Sequence, residues 1–409
     1  MSRIRIKNFG PIKEGSGDDW IDIKKVTVFI GNQGSGKSTV AKLISLFTWI
    51  EKVLTRGDYN PKYFERKGRL VSQYFAYHRI ENYFMSTGKD ITEIEYQGDA
   101  YHFKYEKQSF TITERRNGEY PLPQIMYVPA ERNFIANVKK ASALKLTSDS
   151  LIEFVTEYDN AKNEIKGAMQ LPVNNVSVEY DKLNDIVNLK GKDYKLKLTE
   201  ASSGFQSIVP LYLVSRFLAY SVNRQSVNKE PISSDELERF RKNAEAILAD
   251  KNLTDDQKRV AISALSKRFN KSAFINIVEE PEQNLFPSSQ WELLKKLLEF
   301  NNLNKGNKLI MTTHSPYLIN YLSIAIQADY LSSRIAGSHA NELLKEVEKN
   351  VPKESFVKDV VIYQLDETNG SISKLPNTEG IPSDRNYLNE SLKHGNLIFD
   401  NLLEIEQEL

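Results

Sequence analysis

Gly31-Asn32-Gln33-Gly34-Ser35-Gly36-Lys37-Ser38-Thr39 satisfies G-x-x-x-x-G-K-[ST] at every fixed position. No other run constrains the fold as tightly. The residues before it, Val26-Thr27-Val28-Phe29-Ile30, are apolar and largely β-branched, which predicts a buried strand. The residues after it, Val40 to Phe47, predict a helix with an apolar face. Strand, glycine loop and helix in that order form the context of a phosphate-binding loop. Glycines let backbone N–H groups converge on phosphate oxygens without Cβ clashes, and the helix N-terminus adds partial positive charge. In such a loop Lys37 reaches β- and γ-phosphates, and Ser38 ligates Mg²⁺.

Two later strands end in groups that suit the same chemistry. Phe274-Ile275-Asn276-Ile277-Val278 runs into Glu279-Glu280-Pro281-Glu282, the Walker B arrangement. There the first acid, Glu279, helps hold Mg²⁺ through water, and the second, Glu280, polarises the attacking water. Lys308 to Thr313 predicts the next strand and leads into His314. A lone histidine is more often packed or superficial, but one strand after the acidic pair it is placed to meet a γ-phosphate. Between these regions Ser202-Ser203-Gly204-Phe205-Gln206-Ser207 opens a long apolar helix, from about 203 to 221. Small residues there leave N–H groups exposed, which makes either an anion site or a simple cap.

The rest of the chain reads as insertions around this frame. Its 409 residues, 40% hydrophobic, suffice for two or three domains or for one with insertions. The core falls at 1–48, 122–222 and 272–325. Residues 49–121 predict an aromatic-rich helical region and then a β-hairpin region turning at Gln97-Gly98-Asp99. Residues 223–271 predict a polar break and a helical hairpin, 234–250 and 254–269. Residues 326–409 are mixed and end in an acidic helix. A net charge of +1 leaves any nucleic-acid contact to local patches such as 62–69 and 239–242, and the absence of cysteine removes disulfides and thiolate chemistry. No apolar leader or membrane-length run is present, which predicts a cytoplasmic protein without membrane contact.

Taken in order, these motifs and the string Tyr127-Val128-Pro129-Ala130-Glu131-Arg132 resemble the ABC-type ATPases of the soluble SMC, RecF and OLD branch. The chain looks most like the compact ATPases of bacterial phage-defence systems such as Septu, PARIS and OLD-type retrons. The resemblance implies an α/β P-loop ABC-type ATPase head with a mixed sheet, an inserted α+β lobe and an inserted helical hairpin. It implies ATP and Mg²⁺ as ligands and a head-to-tail dimer or higher homo-oligomer with two shared sites. Ser203, Gly204 and Gln206 would then act as the signature in trans, Glu280 as general base, His314 as switch histidine, and Glu131 in the Q-loop. Three positions depart from the pattern: Glu279 replaces an aspartate, Phe205 the second signature glycine, and Phe286 a histidine. The first two suggest a slow switch.

The functional expectation is a sensor or scaffold ATPase with a separate nuclease or toxin effector. After His314 the chain has Asp366-Glu367 but no Asp-x-Asp pair of the kind a fused nuclease domain needs. The alternative is a RecF-like repair ATPase that binds DNA. A transporter subunit is a third reading, disfavoured by the long charged segment between Ser203 and Glu279.

Overall fold

A computed structural model describes residues 2–84, 91–115, 120–138, 148–228, 234–249, 258, 265, 271–335 and 341–407. The chain opens with β1 (Arg3–Lys7), the short β2 (Ile21–Asp22) and β3 (Val26–Gly31), all of whose residues are buried. The glycine loop follows, then α1 (Lys37–Arg56), which runs well past the apolar stretch that predicted it. It stops at Gly57, whose left-handed φ of 84° lets its N–H return to Leu54 O and close the last turn.

Beyond α1 the expected run of helices is broken. Among the described residues only α2 (Pro61–Phe64), a π-helical turn at Leu70–Phe75 and a 3₁₀ turn at Glu81–Tyr83 form. Gly57, Pro61 and Gly68 punctuate the segment and stop any longer helix. The aromatic residues nevertheless pack: Trp49 lies 5.4 Å from Tyr74, and Phe75 4.8 Å from Phe84. The hairpin region becomes the meander β4 (Glu93–Gln97), β5 (Tyr101–Glu106) and β6 (Ser109–Glu114). It extends β1, giving a five-stranded antiparallel sheet ordered β2-β1-β4-β5-β6.

The remaining strands are β7 (Pro123–Val128), β8 (Ala168–Gln170), β9 (Ser177–Asp181), β10 (Ile186–Lys190), β11 (Lys195–Lys197), β12 (Ala273–Glu279), β13 (Lys308–Thr313), β14 (Val360–Leu365), β15 (Ile372–Lys374) and the short antiparallel pair β16 (Asn377–Thr378) and β17 (Ile381–Pro382). The helices are α3 (Asp149–Asn163), α4 (Ser203–Asn228), α5 (Ser234–Ala249), α6 (Pro287–Asn302), α7 (Pro316–Ile335), α8 (Asn341–Asn350) and α9 (Tyr387–Gln407). The six-stranded central sheet is ordered β15-β14-β3-β13-β12-β7, and every neighbouring pair is parallel except β14 with β15.

Side chains alternate across this sheet. Phe29, Tyr127, Ile277, Ile310 and Tyr363 face a core shared with α1 and the five-stranded sheet. Val28, Val128, Val278, Met311 and Ile362 face a second core built with α3, α4, α6 and α7. Burial on both faces explains why these strands read as unbroken apolar runs.

Three expectations change. Residues 326–409, expected as a mixed segment apart from the core, supply β14, which pairs with β3 over six residues. Residues 93–114 complete the sheet that β1 begins rather than standing apart. Helix α4 runs to Asn228, through the expected polar break at 223. The second helix of the hairpin, expected over 254–269, falls outside the described residues apart from Lys258 and Leu265.

Candidate nucleotide site

Strands β3, β13 and β12 lie side by side and in parallel, with Thr313 opposite Ile30 and Glu279 opposite Thr312. The glycine loop, Glu280 and His314 therefore leave the sheet at one carboxyl edge, where open parallel sheets bind ligands.

The loop needs its glycines. Gly31 has φ 149°, and a Cβ there would lie 2.4 Å from Leu365 O of the neighbouring β14. Gly36, the residue before α1, has φ 101°, and a Cβ would lie 2.8 Å from Ile12 Cγ1. The side chains of Asn32 and Gln33 and the backbone of Gly34 form the exposed tip, whereas Ser35, Lys37 and Thr39 are buried and Ser38 half-buried. Lys37 Nζ donates to Gly31 O at 2.9 Å and Asn32 O at 2.7 Å. Burial lowers its pKa to about 8 against the opposing charges of Glu280, Glu282, Glu367 and Glu279. Ser35 Oγ is buried with no protein partner.

The acids divide into three settings. Glu279 is buried; Oε2 accepts from Ala130 N at 3.2 Å, while Oε1 has no protein partner. Glu280 is half-buried, adopts a left-handed φ of 43° and donates its N–H to Thr312 O at 2.9 Å. His314 beside it, more than the charges of Lys37 and Arg132, holds its carboxyl below the ordinary range. Glu282 turns its carboxylate inward: Oε1 accepts from Thr313 Oγ1 at 2.8 Å and His314 N at 2.7 Å, and burial pushes its pKa up. Glu282 thus pins the turn that carries His314.

The structure also adds residues that sequence reasoning missed. Glu131, expected in the Q-loop, is exposed in the first turn of the 3₁₀ segment Ala130–Asn137. The inward-facing group is its neighbour Arg132, fully buried and bonded to four backbone carbonyls. Glu367, in the turn after β14, accepts from Asn32 Nδ2 at 2.9 Å and so touches the phosphate loop. Neither has a periodicity or spacing signal; only the Tyr127–Arg132 string hinted at the first.

The opening turn of α4 packs against the loop after Glu280, since a Cβ on Gly204 would lie 2.7 Å from Asn284 O. Ser203 is exposed. Gln206 differs from expectation. Its Nε2 donates to Leu198 O, Thr199 O and Ala201 O at 3.4, 3.3 and 3.1 Å, so its amide nitrogen is engaged within its own chain. Phe205 packs against the α4-side core, which accounts for a bulky residue in place of glycine, and Phe286 is 75% exposed.

Among the described residues no cluster of three or more His, Cys, Asp or Glu is arranged to hold a metal alone. Ser38 and Glu279 Oε1 are oxygen donors of the kind that would hold Mg²⁺.

Residues 131–319 match the family model described as an AAA ATPase domain. The matched segment runs from Glu131 through Glu279, Glu280 and His314 into α7, and leaves out the phosphate loop. No curated protein matches significantly. Among solved structures the chain is similar to an SMC head domain from Thermotoga maritima, at 11% identity and TM-score 0.37, covering 92% of this chain and 98% of that one. An Smc head domain with an extended coiled coil, bound to the C-terminal domain of ScpA derived from Pyrococcus furiosus, gives 11% and 0.35, covering 97% and 100%. A nucleotide-free ATP-binding cassette from an ABC transporter gives 12% and 0.31, covering 93% and 94%. No helix among the described residues is long and apolar enough to cross a membrane.

Proposed function

We propose that the chain is a Mg²⁺-dependent ATPase that works as a head-to-tail dimer. The observation that carries the reading is the convergence of Lys37, Glu280 and His314 at one sheet edge, with Glu280 kept ionised beside His314. On nucleotide binding Lys37 exchanges its loop carbonyls for β- and γ-phosphate oxygens. Glu280 accepts the proton of the water that attacks the γ-phosphorus, as the bond to the β–γ bridging oxygen breaks. His314 meets the γ-phosphate from the neighbouring strand. Mg²⁺, held by Ser38 and through water by Glu279, would neutralise phosphate charge.

The dimer reading rests on Ser203 and Gly204, which open α4 at the surface. Mixing a Lys37→Ala chain with a Ser203→Arg chain tests it. Each mixed dimer then has one doubly damaged site and one intact site, so ATPase activity should reappear. Mixed dimers that form and stay inactive would contradict shared sites.

The output of the ATPase is inferred from the sequence resemblance: a defence-system sensor with a separate nuclease or toxin effector. Cleavage of DNA or RNA by the purified chain, surviving Glu280→Gln, would count against a separate effector. The RecF-like alternative would use the exposed Lys62, Arg66 and Lys67 as a DNA surface.

A further inference from the structure

Arg132 is the largest fully buried side chain described. Its guanidinium touches four backbone carbonyls from three parts of the site. Nη1 donates to Pro129 O at 3.2 Å and Glu279 O at 2.6 Å, Nη2 to Glu280 O at 2.6 Å, and Nε to Ser207 O at 3.3 Å. Pro129 follows β7, Glu279 ends β12 and Glu280 follows it, and Ser207 lies in the opening turns of α4. A planar fork of five N–H groups can span such a set, whereas a lysine ammonium is a point.

Two features give the grip a consequence. Glu280 holds φ 43°, a conformation that a residue with a side chain adopts at a cost, so its backbone depends on what surrounds it. Pro210 lies within α4 and lacks the N–H that would tie Gln206 O into the helix. The opening turns of α4 are therefore less bound to the rest of the helix than an unbroken one would be. Arg132 itself is out of contact with solvent, so it is a positioning residue and not a catalytic one.

We propose that Arg132 couples the opening turn of α4 to the backbone of Glu279 and Glu280, so that nucleotide held by the partner chain against Ser203 adjusts the general base of this chain. The coupling between chains rests on the dimer reading above. Within one chain Arg132 holds Glu280 in position whether or not sites are shared.

Arg132→Lys keeps the charge and loses the fork. It should leave ATP affinity and KM near wild type and lower kcat by about 10²-fold, the scale of a misplaced catalytic group. Unchanged kcat would overturn the positioning role. For the coupling, hydrogen exchange is read in an isotopically labelled Lys37→Ala chain mixed with Glu280→Gln chains and ATP, where Ser203 of the labelled chain meets nucleotide held by its partner. Residues 203–209 and 279–284 should gain protection together, and adding Arg132→Lys to the labelled chain should keep the gain at 203–209 and remove that at 279–284. Protection confined to 203–209 with Arg132 in place, or joint protection that survives Arg132→Lys, would contradict the coupling. Failure of the Lys37→Ala and Ser203→Arg mixture to show rescue counts against shared sites, and leaves kcat of the single variant as the test of Arg132. Should Arg132→Lys not fold, the exchange pattern with Arg132 unaltered still decides the coupling.

Discussion

His314 Nε2 stands 3.5 Å from Glu280 Oε1, at the ends of neighbouring parallel strands. His314 is the largest cause lowering the pKa of Glu280. The acid limb of kcat/KM, which reports the free enzyme, should therefore lie below the ordinary carboxylate value. His314→Ala should move that limb to higher pH as well as slowing turnover. A pH–rate profile checks it, and an unmoved limb in the variant would separate the two residues.

Lys37 makes nucleotide affinity pH-dependent. In the free protein burial lowers its pKa to about 8, and a bound triphosphate should raise it again. Below pH 8 the lysine is already charged and affinity should be flat. Above it, binding must take up a proton and should weaken by up to about tenfold per pH unit. Calorimetry at pH 7 and pH 9, in buffers of different ionisation enthalpy, reads that proton directly. Lys37→Ala should remove both the uptake and most of the binding.

Glu51 offers a stability test away from the site. Its Oε1 accepts from Ala100 N at 2.6 Å and Tyr101 N at 3.1 Å, and burial raises its pKa from 4.5 to about 7. A folded-state pKa above the unfolded value means stability that is full below pH 4.5 and lost as pH rises through 7. Glu51→Gln keeps an acceptor oxygen and never ionises. It should stabilise the protein by about 1–3 kcal/mol at pH 8, bring little at pH 4.5, and flatten the slope between. Equal gains at both pH values would contradict this setting of Glu51.

Much of the frame was legible because its signals are local. Val26–Ile30, the glycine loop and the acids after Val278 each announce themselves within a few residues, and parallel strands buried on both faces read as continuous apolar runs. What escaped depends on distant chain. β14 lies in the stretch read only as mixed, and nothing within it points to a place beside β3. Arg132 acquires meaning only when β7, β12 and α4 meet around it, and Glu367 only when β14 brings it to Asn32. Gln206 looked free for a partner because the carbonyls of Leu198, Thr199 and Ala201 become acceptors only once the loop has folded.

The most direct measurement is ATP turnover and ATP binding by the purified chain and by Glu280→Gln, side by side with Mg²⁺. Wild type is expected to hydrolyse ATP, and the variant to bind it with near-unchanged affinity while losing about 10²–10⁴-fold in rate. A variant that turns over ATP like wild type, or a wild-type chain that binds no ATP, would contradict the assignment of Glu280 as the base of an ATPase site built on Gly31–Thr39.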